Sequence, residues 1–133
     1  MTNMSSPTIW LISYAVLNFL AAGVGQLLGA EGFADQAWGN ENVLGHDVYY
    51  ETSYGFLFIG MSVIAAGLAF LTSGAQQARM TALFGATMLS IVASMAIYSN
   101  AEGYSFGGLM ILIPITLMSG VTLSGILHWK DKG

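Results

Sequence analysis

His46, Asp47, Tyr50 and Glu51 form the densest group of chemically capable side chains in this sequence. On a helix His46 and Tyr50 stand one turn apart, as do Asp47 and Glu51, so the four crowd neighbouring faces. The group offers a cation one imidazole and two carboxylates, without the spacing of H-E-x-x-H or of an EF-hand loop. A solvated acidic face is the simpler reading, and no metal is assigned. Glu51 stands apart because it shares a helical face with Gly55, Ser62 and Ala66. That face turns it toward the mouth of a helix bundle, where a partly desolvated carboxylate is a candidate proton carrier or ligand anchor. The alternative at the same place is an interfacial Glu51 hydrogen-bonded to Tyr54 or Tyr104.

A second set lies deeper. Asn18, Ser62, Ser90 and the pair Thr116 and Ser119 each fall near the middle of a long apolar run, at a depth where they form one polar layer. Read as glue, the layer consists of hydrogen bonds between helices, each worth roughly 0.6 kcal/mol on average. Read as a site, it is a small polar pocket for a substrate or quinone head group, with Asn18, Glu51, Ser62, Ser90, Thr116 and Ser119 as its ligand-binding residues. Pro114 sits just above that level, where it removes a backbone donor, kinks its helix and leaves the Met110 carbonyl in need of a partner.

Other chemistries find little support. His128 ends the last apolar run, where a helix C-terminus favours an imidazolium, and no second histidine at membrane depth completes a haem or pigment site. There is no G-x-S-x-G, no phosphate-binding glycine loop and no deep histidine to activate a serine, so no catalytic residue is assigned. With no cysteine, disulfides and thiol chemistry are absent. A net charge of -4 with only three Lys plus Arg excludes nucleic acid as a partner and gives no basic cluster for anionic lipid. No cofactor is expected.

The elements that must position these residues are apolar and long. Charged residues make up 8% of the chain against about 25% in soluble proteins, so lipid covers most of its surface. Four runs free of Asp, Glu, Lys and Arg span roughly Thr8 to Gly29, Ser53 to Thr72, Met80 to Tyr98 and Phe106 to His128. Each is about the twenty residues a helix needs to cross roughly 30 Å of hydrocarbon. No basic residue precedes the first run, so it reads as a retained span, with Ser6 and Pro7 opening its first turn. The expected fold is an all-α membrane protein, a single domain over residues 1–133 built as a four-transmembrane-helix bundle.

Small residues mark the faces that meet: Ala15, Asn18, Ala22, Gly25 and Gly29 on the first span, and Gly55, Ser62, Ala66 and Ala69 on the second. The third offers Ala86, Ser90, Ala93 and Ser94, and the fourth Thr116, Ser119, Gly120 and Ser124. The first connection, Ala30 to Thr52, is long for a bundle. Phe33, Ala34, Ala37 and Trp38 recur there at helical spacing, which predicts a short surface helix on the outer side, with Asn42 to Tyr50 extending the second span outward. Arg79, Lys130 and Lys132 fall on one side of four crossings, which the positive-inside rule makes the cytoplasm, together with both termini. Six of the seven acids fall on the other side, while Trp10 and Trp129 lie at the inner interface and Tyr49, Tyr50, Tyr54, Tyr98 and Tyr104 near the outer one.

A spanning helix, a long outer segment, then three closely connected spans, with Tyr50-Glu51 to Gly60 opening the second, resembles the DoxX-like family of small bacterial membrane proteins. This chain departs from it in having no basic residue in or around the first span. The resemblance implies a small quinone-linked or accessory membrane subunit of a bacterial cytoplasmic membrane, and transfers no site residue. The sequence therefore predicts a non-catalytic integral membrane subunit, partnered by the lipid bilayer and by other membrane subunits or further copies of itself. The alternatives are a binder of quinone, lipid or pigment that uses the bundle interior, and a pore or transporter formed by oligomerisation.

Overall fold

A computed structural model of the chain describes residues 6–105 and 108–130. Phe106 and Gly107, the expected start of the fourth span, and Asp131 and Lys132 lie outside the described residues. Pro7 opens α1 (Pro7–Leu17), where its missing N–H is one the first turn would leave unpaired in any case. The helix continues through wider π-helical turns at Asn18–Val24 into α2 (Gly25–Trp38). At Gly29 the backbone leaves helical values (φ -121°, ψ 22°), so Ala30 to Trp38 form a separate stretch beyond a kink. The segment predicted as a surface helix is thus helical, but it joins the first span through a kinked glycine and not through a loop.

The chain turns at Gly39, whose φ of 82° suits a residue without Cβ, and enters α3 (Gly45–Leu71). Asp47, the third residue of α3, reaches back to accept the Leu44 N–H at 2.8 Å, satisfying a donor just ahead of the first turn. After Thr72 and Ser73, α4 runs from Gly74 to Ala101, and α5 (Gly108–Leu127) follows with Pro114 inside it. Among the described residues, Pro7–Trp38, Gly45–Leu71 and Gly74–Ala101 are long and apolar enough to cross a membrane, and Ile111–Leu127 adds a shorter apolar helix. The protein is a helical membrane bundle.

Lipid gives helices no hydrophobic reason to associate, so close van der Waals approach must do it. The first helix packs along α3, α5 packs on α4 and on α1, and among the described residues α2 packs, beyond its own continuation into the π turns, on α3. Around the bundle the order is therefore α3, α1, α5, α4. Glycines set the distances. A Cβ on Gly125 would stand 2.4 Å from the Ala82 backbone nitrogen, and one on Gly85 2.7 Å from that of Thr122, so α4 and α5 touch backbone to backbone. Gly120 lies under the Trp10 ring, joining α5 to α1. Leu11, Tyr14, Ala65, Met88, Met118 and Val121 fill the core between them, with Tyr14 edge-on to Phe84 at 5.3 Å.

Candidate functional site

The buried faces show which chemically capable residues the helices bring together. Along α1 the buried positions are Leu11, Tyr14 and Ala15, then Asn18; beyond it they are Gly23, Gln26, Ala30, Ala34 and Ala37. The step from Asn18 to Gly23 is five residues, the repeat of a π turn, and it replaces the expected Ala22, Gly25 and Gly29 face by one a residue further on. Gln26 turns inward as a result. On α3, an uninterrupted helix, Asp47, Glu51, Gly55, Ser62, Ala65 and Ala69 are buried, close to the face expected from spacing.

Gln26 and Glu51 meet at the end of that seam nearer the start of α3. Glu51 is 1% exposed, and its two carboxylate oxygens each accept a hydrogen bond: Oε2 from the Gln26 side-chain amide, Oε1 from the Tyr104 hydroxyl at 2.6 Å. Tyr104 lies between α4 and α5 and is held from two further directions. Its ring stands edge-on to Trp38 at 5.2 Å, and the next residue donates its N–H to the Ala37 carbonyl at 2.9 Å. Burial, and then the bond to Glu51, raise the Tyr104 phenol well above the ordinary tyrosine range, so it stays a donor. Three parts of the chain converge on one carboxylate. The three Lys and Arg residues of the sequence all fall at other places in it, so the partners of Glu51 are an amide and a phenol where a cation would be usual.

Asp47, one turn above, is spent on its cap and on a 3.3 Å contact with His46 Nε2. His46 is largely exposed, and its ring meets Tyr50 edge-on at 5.8 Å, the neighbour expected from the four-residue spacing. Among the described residues no three His, Asp or Glu side chains gather as metal ligands.

The deeper layer is narrower than spacing suggested. Asn18 Nδ2 donates to Ser62 Oγ at 2.9 Å and to the Phe58 carbonyl at 2.8 Å, and the Ser62 hydroxyl donates to the same carbonyl. Ser90 does not join them: it is exposed and donates to Ala86 in its own helix. Thr116 is also exposed and Ser119 half-buried. The expected four-helix layer is thus an Asn18–Ser62 pair, because α4 turns Gln77, Ala78, Thr81, Ala82, Gly85 and Met88 inward and its Ala86, Ser90, Ala93, Ser94 face outward. Beside Ser62, an open apolar groove runs between α1 and α3, lined by Ala15, Val16, Phe19, Leu20, Val63 and Ala66. The Tyr14 hydroxyl is buried with no hydrogen-bond partner among the described residues.

Two amides were not among the candidates read from sequence. Gln26 would have emerged from the unbroken series Asn18, Ala22, Gly25 only if the wider turn had been foreseen. Gln77 falls between the second and third apolar runs of the sequence, yet it is buried in the first turn of α4. Its Nε2 donates toward the carbonyls of Leu68, Ala69 and Thr72 at the end of α3, and its Oε1 accepts from Thr8 at 2.8 Å. It ties three helices at the end opposite Glu51. His128 Nδ1 sits 2.9 Å from the Ser124 carbonyl, and Arg79 lies over the Trp129 ring at 5.9 Å.

Fold and site together define a helical membrane protein whose buried polar groups join helix to helix. Family models, curated proteins and solved structures contain no match to the chain, so its site is read from its own chemistry.

Proposed function

We infer that this protein is a non-catalytic, four-spanning membrane subunit that assembles with other membrane helices through the outward face of α4. The observation that carries the reading is that face itself. Ala86, Ser90, Ala93 and Ser94 are small, lie at helical spacing and are exposed, while the opposite face of α4 already supplies its contacts to α5. In a membrane, small residues on one stripe are what allow a second helix to approach closely. The interior supports the same reading, because Asn18, Gln26, Glu51, Ser62 and Gln77 each hold a hydrogen bond to another part of the bundle. An accessory subunit is also what the DoxX-like resemblance implies.

Two tied ends support four crossings. Thr8 meets Gln77 and Arg79 meets Trp129 at one end, while Ala37 meets Ser105 at the other, so α5 travels between the same ends as its neighbours. Its 20 residues extend about 30 Å, the thickness of the hydrocarbon core. The basic end is cytoplasmic by the positive-inside rule, in a bacterial inner membrane, with Glu51 and Tyr104 on the outer side.

Native mass spectrometry after extraction in mild detergent tests the assembly. A homo-oligomer or a co-purifying membrane subunit is expected, and Ser90→Leu with Ala93→Leu should release a folded monomer. A monomer carrying a quinone, lipid or pigment, unchanged by the α4 substitutions, would overturn the reading in favour of a small-molecule binder.

A further inference from the structure

The first helix carries two small-residue faces around a single pivot, and only one is in use. In an unbroken α-helix Asn18, Ala22, Gly25 and Gly29 lie on one side. The structure instead packs Asn18, Gly23, Gln26 and Ala30 toward α3, because the π turns at Asn18–Val24 hold one extra residue. One residue corresponds to a rotation of about 100° for everything beyond it. The geometry points to a two-register switch in which the π turns relax to α-helix, exchange the Gly23, Gln26 face for Ala22, Gly25, and withdraw Gln26 from Glu51.

Each part such a switch needs is present. Asn18 opens the wide turns and is anchored to Phe58 and Ser62, so it stays fixed in both registers. Gly29, already outside helical values, is the hinge that takes up the rotation, and Ala37 and Trp38 beyond it remain held by Ser105 and Tyr104. The moving segment is therefore bounded at both ends. The registers exchange Gly23 for Ala22, two small residues, and Gln26 for Gly25, so they differ in one polar contact. The π register gains the Gln26 bond to Glu51; the α register recovers regular backbone bonding, as π turns are uncommon without a compensating contact. Withdrawal leaves Tyr104 as the donor to Glu51 and frees Oε2 toward the outer side, so the register decides what the carboxylate offers there.

The chain has no cysteine, which makes paired cysteines a clean readout. A Cβ on Gly23 would lie against Ile59, so Gly23→Cys with Ile59→Cys reports the π register, and Ala22→Cys with Ile59→Cys reports the α register. Oxidative cross-linking in liposomes should favour the Gly23 pair. Adding Gln26→Leu removes a hydrogen bond to a carboxylate and should move the ratio of the two products by about tenfold toward the Ala22 pair. Glu51→Ala removes the acceptor instead and should move it the same way, which covers the case in which Gln26→Leu does not fold. Deleting Ala21 takes out the extra residue, so the Gly23 pair should persist whatever occupies position 26. An unchanged ratio in folded Gln26→Leu or Glu51→Ala protein would overturn the switch and leave the π turns as a fixed packing feature.

Discussion

Tyr104 holds the Glu51 end of the bundle only while its phenol carries a proton. Burial and the bond to Glu51 raise its pKa in the folded protein above the ordinary value of about 10. The sign of the linkage follows: the stabilisation is complete below pH 10, the unfolded value, and is lost as pH rises above it toward the higher folded value. Wild-type protein should therefore lose thermal stability more steeply above pH 10 than Tyr104→Phe, measured in detergent at matched salt. Below pH 10 the variant should be less stable by about 1–2 kcal/mol, the worth of a partly exposed bond to a carboxylate. Parallel slopes for the two proteins would remove Tyr104 as the latch. Half of this cluster was legible in the sequence. Glu51 is legible from its face, since α3 keeps strict helical spacing, and Tyr104 is one of the two phenols the sequence offers it, with Tyr54. Gln26 is not legible, because a wide turn leaves no mark in residue type.

At the level of helices, the same limit explains which faces were read correctly. On α3 the expected face and the buried one agree, with Glu51, Gly55, Ser62 and Ala69 common to both. On α4 two small-residue faces compete, Ala78, Ala82 and Gly85 against Ala86, Ser90 and Ala93, and the buried one is the first. Hydrophobicity distinguishes them poorly, because lipid and protein interior are equally apolar, and the choice falls to backbone approach. Gly125 decides it from the α5 side. Its missing Cβ would meet the Ala82 nitrogen, the Ala78 carbonyl and the Ala82 Cα, all backbone atoms that cannot rotate away. Gly125→Ala should destabilise the protein by about 1–3 kcal/mol, the usual cost of overpacking. Gly60→Ala is the matched comparison, because nothing lies within 4 Å of its absent Cβ. It should be neutral or gain up to about 1 kcal/mol from helix propensity. Equal effects in thermal scans would mean that α4 and α5 are not in backbone contact.

Across the molecule the two ends differ in chemistry, and that difference predicts an orientation. At one end Arg79 stacks over Trp129 and Gln77 ties Thr8 to the end of α3; at the other Glu51 collects Gln26 and Tyr104 with no cation among them. Translocating a segment that contains Lys or Arg is disfavoured, whereas acids cross with little penalty, so the Arg79 end should stay in the cytoplasm. Four crossings then place Asn40 and Glu102 outside, and Ser73 and Asp131 inside. Single cysteines at these four positions, in a chain with none of its own, give the test with a membrane-impermeant maleimide. Asn40→Cys and Glu102→Cys should label in intact cells, and Ser73→Cys and Asp131→Cys only after the membrane is opened. The fourth position carries the most information, because three crossings with α5 lying on the surface would leave Asp131→Cys labelled from outside together with Asn40→Cys. That pattern would also remove α5 from the bundle, and with it the backbone contact at Gly125 and the Trp10 ring over Gly120, so labelling and the glycine substitutions must agree.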